Sequence, residues 1–202
     1  MKRIILSICL IIAAIPSAVA DDGGAWLSVQ LNKNWSKPYA FARLEFRSNN
    51  KFKSTEAFFT AVGGGYKFAP WLKADLSYEY WRINPQINVH KAVLCGTGTL
   101  ARDGLSLSIR EKLEFAVNPE SSDSNFTLRS RLRAQYNIPG GIFRPYLMTE
   151  IFSWSSWIRS LNYVGTEIAI GSHHCIDLFY MYHLPNGSQP VHLLGAGYYF
   201  SF

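Results

Sequence analysis

Residues 126 to 138, FTLRSRLRAQYNI, set arginines at 129, 131 and 133 against Phe126, Leu128, Leu132, Ala134 and Tyr136 on the opposite parity. Side chains two apart share a face only when the backbone is extended; on a helix the same three arginines would spread around the axis. The segment therefore reads as a strand with one cationic and one apolar face. Two environments accept such a strand. A soluble sheet turns the arginines to water, whereas a membrane barrel turns them into its enclosed interior and gives the leucines to lipid.

The same alternation recurs. Leu72, Ala74, Leu76, Tyr78 and Tyr80 oppose Lys73, Asp75, Ser77, Glu79 and Trp81; Ala40, Ala42, Leu44 and Phe46 oppose Phe41, Arg43, Glu45 and Arg47. Leu105, Leu107, Ile109, Leu113 and Phe115 oppose Ser106, Ser108, Arg110, Lys112 and Glu114, with Glu111 breaking the apolar parity. Weaker runs cover 25–32, 55–68, 87–101, 142–154, 157–171, 174–184 and 190–202. No long 3.6-residue period competes with them. Bacterial single-chain barrels take an even strand number, so one run, 25–32, is expected outside the wall. The expectation is an all-β, antiparallel up-and-down transmembrane β-barrel of about ten strands, with twelve possible. Short turns at Ala69-Pro70, Ala101 to Gly104, Pro139 to Gly141 and Gly171-Ser172 alternate with longer connections at Arg82 to Gln86, Asn118 to Asn125, Ser153 to Ser156 and Leu184 to Pro190. In outer-membrane barrels the short set faces the periplasm.

The closing run QPVHLLGAGYYFSF favours the membrane reading, because Leu194, Ala196, Tyr198, Phe200 and Phe202 share one parity. A soluble strand ending this way would be an aggregation hazard. Tyr198, Phe200 and Phe202 are the expected membrane-insertion signal, read by the barrel-assembly machinery. At the other end, MKRIILSICLIIAAIPSAVA has the cationic, apolar and small-residue parts of a secretory signal peptide over residues 1–20, which leaves 21–202 as one barrel domain in the outer membrane. The formal charge of +6 falls to +4 once Lys2 and Arg3 leave with the leader, and no basic run marks a nucleic-acid partner. Outer-membrane lipid is the expected surrounding and a monomer the expected state.

Arginine at mid-bilayer costs about 2 to 4 kcal/mol, so three would oppose insertion strongly; Arg129, Arg131 and Arg133 must face inward. Unpaired charges inside a narrow barrel are costly as well, and the inward parity supplies partners. The expected lumen network comprises Arg43, Glu45, Arg47, Asp75, Glu79, Arg110, Glu114, Arg129, Arg131, Arg133, Arg144, Glu150, Arg159 and Glu167. Trp35, Trp71, Trp81, Trp154 and Trp157 lie near strand ends, as headgroup girdles require. Gly63-Gly64-Gly65 stands inside a strand, where it allows close curvature rather than phosphate binding.

With those residues in view the chain resembles a family of Gram-negative outer-membrane barrels, domain of unknown function 2490. The likeness rests on AWLSVQL, RLEFR, RLRAQYNIPGGIFRPYLMTEIF, GTEIAIG with CIDLFYMY, and VHLLGAGYYFSF; NVHKAVLCGTGTL departs from the charged strand expected there. The resemblance implies location and architecture and carries no reaction.

The functional expectation is an outer-membrane barrel with a structural or small-solute-related envelope role, its lumen filled by ion pairs. One alternative is a narrow, porin-like channel with anion preference. Another is a lipid-modifying hydrolase at the outer rim using His183, Ser188 and Glu167. An enzyme is not expected. No cofactor is implied, and His173-His174 lacks the further ligands a metal needs. Cys95 and Cys175, the cysteines after the leader, have no metal or redox spacing and read as free thiols in preference to a disulfide.

Overall fold

The computed structural model describes residues 23–49, 54–154, 157–184 and 190–202, and the signal peptide expected over residues 1–20 lies outside them. Eleven strands follow one another: β1 (Gly24–Asn34), β2 (Pro38–Asn49), β3 (Ser54–Ala69), β4 (Leu72–Ile83), β5 (Ile87–Arg102), β6 (Leu105–Val117), β7 (Ser124–Tyr136), β8 (Phe143–Trp154), β9 (Trp157–Ile170), β10 (His174–Leu184) and β11 (Val191–Ser201). Each pairs antiparallel with the next, and the sheet closes into a barrel. The closing pair is parallel, with Trp26 opposite Gly195 and Leu31 opposite Phe200. A meander with an odd strand number begins and ends in the same direction, so its closure has no other choice. The run at 25–32 therefore belongs to the wall. Its polar face, Ser28, Gln30 and Asn32, points inward and Leu27, Val29 and Leu31 point out, the same sense as the alternation of β2, β4, β6 and β7.

Connections 35–37, 70–71, 103–104, 137–142 and 171–173, together with Phe202, form one rim, called lower here; connections 84–86 and 118–123 and the strand ends at Asn49, Ser54, Trp154, Trp157, Leu184 and Val191 lie at the other, called upper. The contrast in length is weaker than the sequence suggests, because β8 runs on to Trp154 and β9 begins at Trp157, while the β7–β8 connection grows to six residues. Asp103-Gly104 makes a two-residue hairpin with φ of 50° and 85°, the left-handed pair that matches strand twist.

The outer surface is apolar. Leu44, Val62, Leu76, Leu94, Ile109, Leu132, Leu147 and Val164 are exposed there, and Leu132 is 51% exposed. Trp35, Trp71, Tyr66, Phe68, Tyr136, Phe143 and Phe202 ring the lower rim. Trp81 departs from the girdle expectation: its parity carries it inward, where it is buried and stacked on Phe59 at 4.2 Å between ring centres. The side chains of Trp154 and Trp157 lie outside the described residues.

Inside, aromatic rings lie over glycines of the neighbouring strand. A Cβ on Gly65 would meet the Tyr39 ring at 2.6 Å, and one on Gly195 would overlap the ring of Phe179. Glycine thus leaves the space into which these rings fold. Gly195→Val should destabilise the barrel by about 1 to 3 kcal/mol through the displaced Phe179 ring. Gly96→Ala, whose Cβ would meet nothing within 4 Å, should be near neutral, and a urea titration of the two variants in lipid vesicles checks both. Cys95 and Cys175 are free thiols.

Candidate functional site

The inward faces of β6 and β7 oppose like charges directly. Lys112 lies across from Arg129 and Arg110 across from Arg131. Like charges at such positions repel, so the pairing holds only if carboxylates come between them. Glu114 and Glu150 do so. Lys112 Nζ donates to Glu79 at 2.8 Å and lies 3.0 Å from Glu114; Arg129 donates to Glu114 at 2.7 Å and to Glu150 at 2.8 Å. Glu150 also accepts from Arg110 at 3.1 Å and lies 3.3 Å from Arg131. Lys91 joins Glu114 at 2.9 Å, and Trp81 Nε1 donates to Glu79 at 2.8 Å. The result is one continuous chain of charges from β4 to β8.

Smaller groups flank it. Arg43 and Arg47 both hold Glu45. Arg133 and Gln135 hold Glu167 at 2.8 and 2.9 Å. Tyr39 donates to Asp75 at 2.8 Å and Tyr146 to Asp177 at 2.9 Å. Aromatic faces take up cationic surface that carboxylates do not: Arg47 lies 3.7 Å from the Trp26 ring centre, Arg129 and Arg159 lie 4.1 and 4.2 Å from that of Phe152, and Arg133 lies 4.0 Å from that of Tyr146. Arg144 sits across from Glu167 in register.

Beside this network is a cavity of about 500 Å³. Arginines and lysines outnumber carboxylates along its lining, where Arg43, Lys67, Lys73, Arg131 and Arg133 face Asp75, Glu150 and Asp177. Access differs between the rims. Inward residues of the upper half are buried, among them Phe59, Trp81, Leu161, Met181 and Leu193, whereas Lys73 and Asn34 at the lower rim are exposed. Among the described residues, the guanidinium Nε atoms of Arg43, Arg110, Arg129, Arg131 and Arg133 are buried without a hydrogen-bond partner.

Glu167 and His183 lie far apart. Asp177 pairs with Glu167 and His183 with Leu161, so the two residues are six positions apart along β9, roughly 20 Å at ~3.3 Å per residue. Glu167 is engaged by Arg133 near the lower rim, and Ser188 lies outside the described residues. Among the described residues no group of histidine, cysteine and carboxylate side chains could hold a metal. Tyr198, Phe200 and Phe202 face outward at the lower rim, with the Tyr198 hydroxyl 2.6 Å from His174 Nδ1.

The family model for protein of unknown function DUF2490 matches residues 23–192. The chain belongs to the DUF2490 family. Among solved structures, this DUF2490 barrel is similar to the NanC porin in a rhombohedral crystal form. The two are 13% identical with a TM-score of 0.57, over 85% of this chain and 92% of that one, a likeness of fold. No curated protein matches the chain.

Sequence reasoning missed Lys91, Lys112, Asp177, Tyr39 and Tyr146 as members of the DUF2490 lumen. Lys112 was on the inward parity and could have been found by applying that rule without exception. Lys91 and Asp177 lie in weakly alternating runs, and the tyrosines carry no charge to draw attention to them.

Proposed function

We propose that this barrel spans the outer membrane and serves small anionic solutes, with its arginine wall acting as an electrostatic filter. The observation that carries the reading is the excess of cations over carboxylates around the cavity of about 500 Å³. Buried guanidinium Nε donors without protein partners support it, since a buried donor is costly unless water or an anion satisfies it. Lys67 and Lys73 at the lower mouth would raise the local concentration of anions. The similar structure's description as a porin agrees with passage of solutes, and the chain of ion pairs would keep such passage narrow. With the lower rim in the periplasm, as the short turns suggest, the exposed mouth opens on that side.

The test is reconstitution in planar bilayers under a tenfold KCl gradient. The expected result is a small conductance whose reversal potential has the sign of chloride preference, reduced toward zero when Lys67 and Lys73 are replaced by Gln. Cation preference, or no conductance from protein shown to be folded by its gel mobility, would overturn the proposal.

A further inference from the structure

Glu111 is the middle residue of β6 and points out of the barrel, at the depth where hydrocarbon would surround it. It lies across from Ser130, the middle residue of β7, and accepts a hydrogen bond from the Ser130 hydroxyl at 2.6 Å. Farther round, Thr149 donates to Asn162 Oδ1 at 3.0 Å, and Asn162 Nδ2 lies 3.4 Å from the Ser160 hydroxyl. Five outward polar side chains thus lie near mid-wall on four consecutive strands, in two hydrogen-bonded groups with Ile151 across from Ser130 and Leu132 across from Thr149. Gly96, across from Glu111, leaves open space beside the carboxylate. The outer face of β1 to β4 is different in kind: Leu27, Val29, Leu31, Leu44, Val62 and Leu76 are exposed there.

Lipid chains offer no hydrogen bonds, and a carboxylate at this depth marks a function or an interface by default. The patch has a layout that suits one partner above others. Ser130 stands at its centre, the acceptor Glu111 lies to one side, and the donor-bearing Thr149–Asn162 pair lies to the other. Rotation by a half turn about an axis along the membrane normal through Ser130 brings acceptor onto donor and donor onto acceptor, which is the condition for an isologous contact.

We propose that the outer faces of β6 to β9 form the contact between two copies of this chain in the membrane, Glu111 of each copy meeting the Thr149–Asn162 pair of the other across Ser130. The inference rests on the membrane location proposed above and is independent of the solute.

The contact can be read by cysteine cross-linking of the full chain refolded into phosphatidylcholine vesicles, with the unsubstituted chain as background for Cys95 and Cys175. Ser130→Cys lies on the axis and should give a covalent dimer on mild oxidation. Ala42→Cys on the opposite wall should give none above background. Adding Glu111→Leu to Ser130→Cys should remove most of the dimer while the gel mobility of the folded barrel is retained. Equal cross-linking from both walls, a monomer throughout, or a dimer indifferent to Glu111→Leu would overturn the proposal. A bilayer that shows no conductance leaves this result untouched, so the two readings fail separately.

Discussion

Replacing Glu150 by Gln should cost the barrel about 3 to 5 kcal/mol, because one buried carboxylate is the shared partner of three guanidinium groups. Glu150 is 1% exposed and is bound by Arg110, Arg129 and Arg131. The glutamine keeps the shape and one acceptor but removes the charge that offsets the Arg110–Arg131 repulsion across β6 and β7. The midpoint of urea unfolding in lipid, read as the loss of the fast-migrating folded band, should fall sharply. Glu167→Gln provides the comparison. That carboxylate is 20% exposed, so water replaces part of what is lost and the shift should be well under half as large. Equal shifts for the two variants would mean that the network is solvated and that the charges are not buried in any energetic sense. Replacing Glu150 and Arg129 together by Gln should be less harmful than the sum of the single changes, since each single change leaves the other partner buried with one opposite charge fewer.

Most of this arrangement is legible along one strand at a time, and the rest is not, for a reason that particular residues make clear. Alternation at Arg129, Arg131 and Arg133 assigns their side of the wall correctly, because parity is a local property of an extended backbone. The same rule, applied to Trp81, places it inside; the headgroup expectation misled because proximity to a strand end says nothing about which face a ring occupies. Partnerships between strands are a different matter. Arg110 reaches Glu150 two strands away and Lys112 reaches Glu79 in the other direction, and both depend on the stagger between strands, which no single segment contains. The place of β1 was misjudged on the same ground. An even strand number is a regularity of whole barrels, whereas the polar face Ser28, Gln30 and Asn32 and the apolar face Leu27, Val29 and Leu31 were present in the segment itself. NVHKAVLCGTGTL, which departs from the charged pattern, takes its place in the wall as β5 and contributes Lys91 to Glu114. Its alternation is faint because both faces hold small residues.

The assignment of sides carries the second large effect. Leu132 stands between Arg131 and Arg133 and faces outward two residues from the middle of β7. Leu132→Arg should lower the stability of the barrel in a phosphatidylcholine bilayer by about 2 to 4 kcal/mol, the transfer cost of arginine at the membrane midplane. The matched change on the inner face is Gln135→Arg, one residue from the end of β7, where the new guanidinium meets Glu167 and should cost little. In a detergent micelle, which deforms around a charge and admits water, the difference between the two variants should shrink. A soluble barrel would behave in the opposite way: an arginine added to a face already in water is nearly neutral, and an apolar replacement of Arg131 would be the change that promotes aggregation. Leu132→Arg tolerated in the bilayer with no loss of the folded band would therefore place water against the leucines, and the arrangement of charges inside would need another explanation than exclusion from lipid.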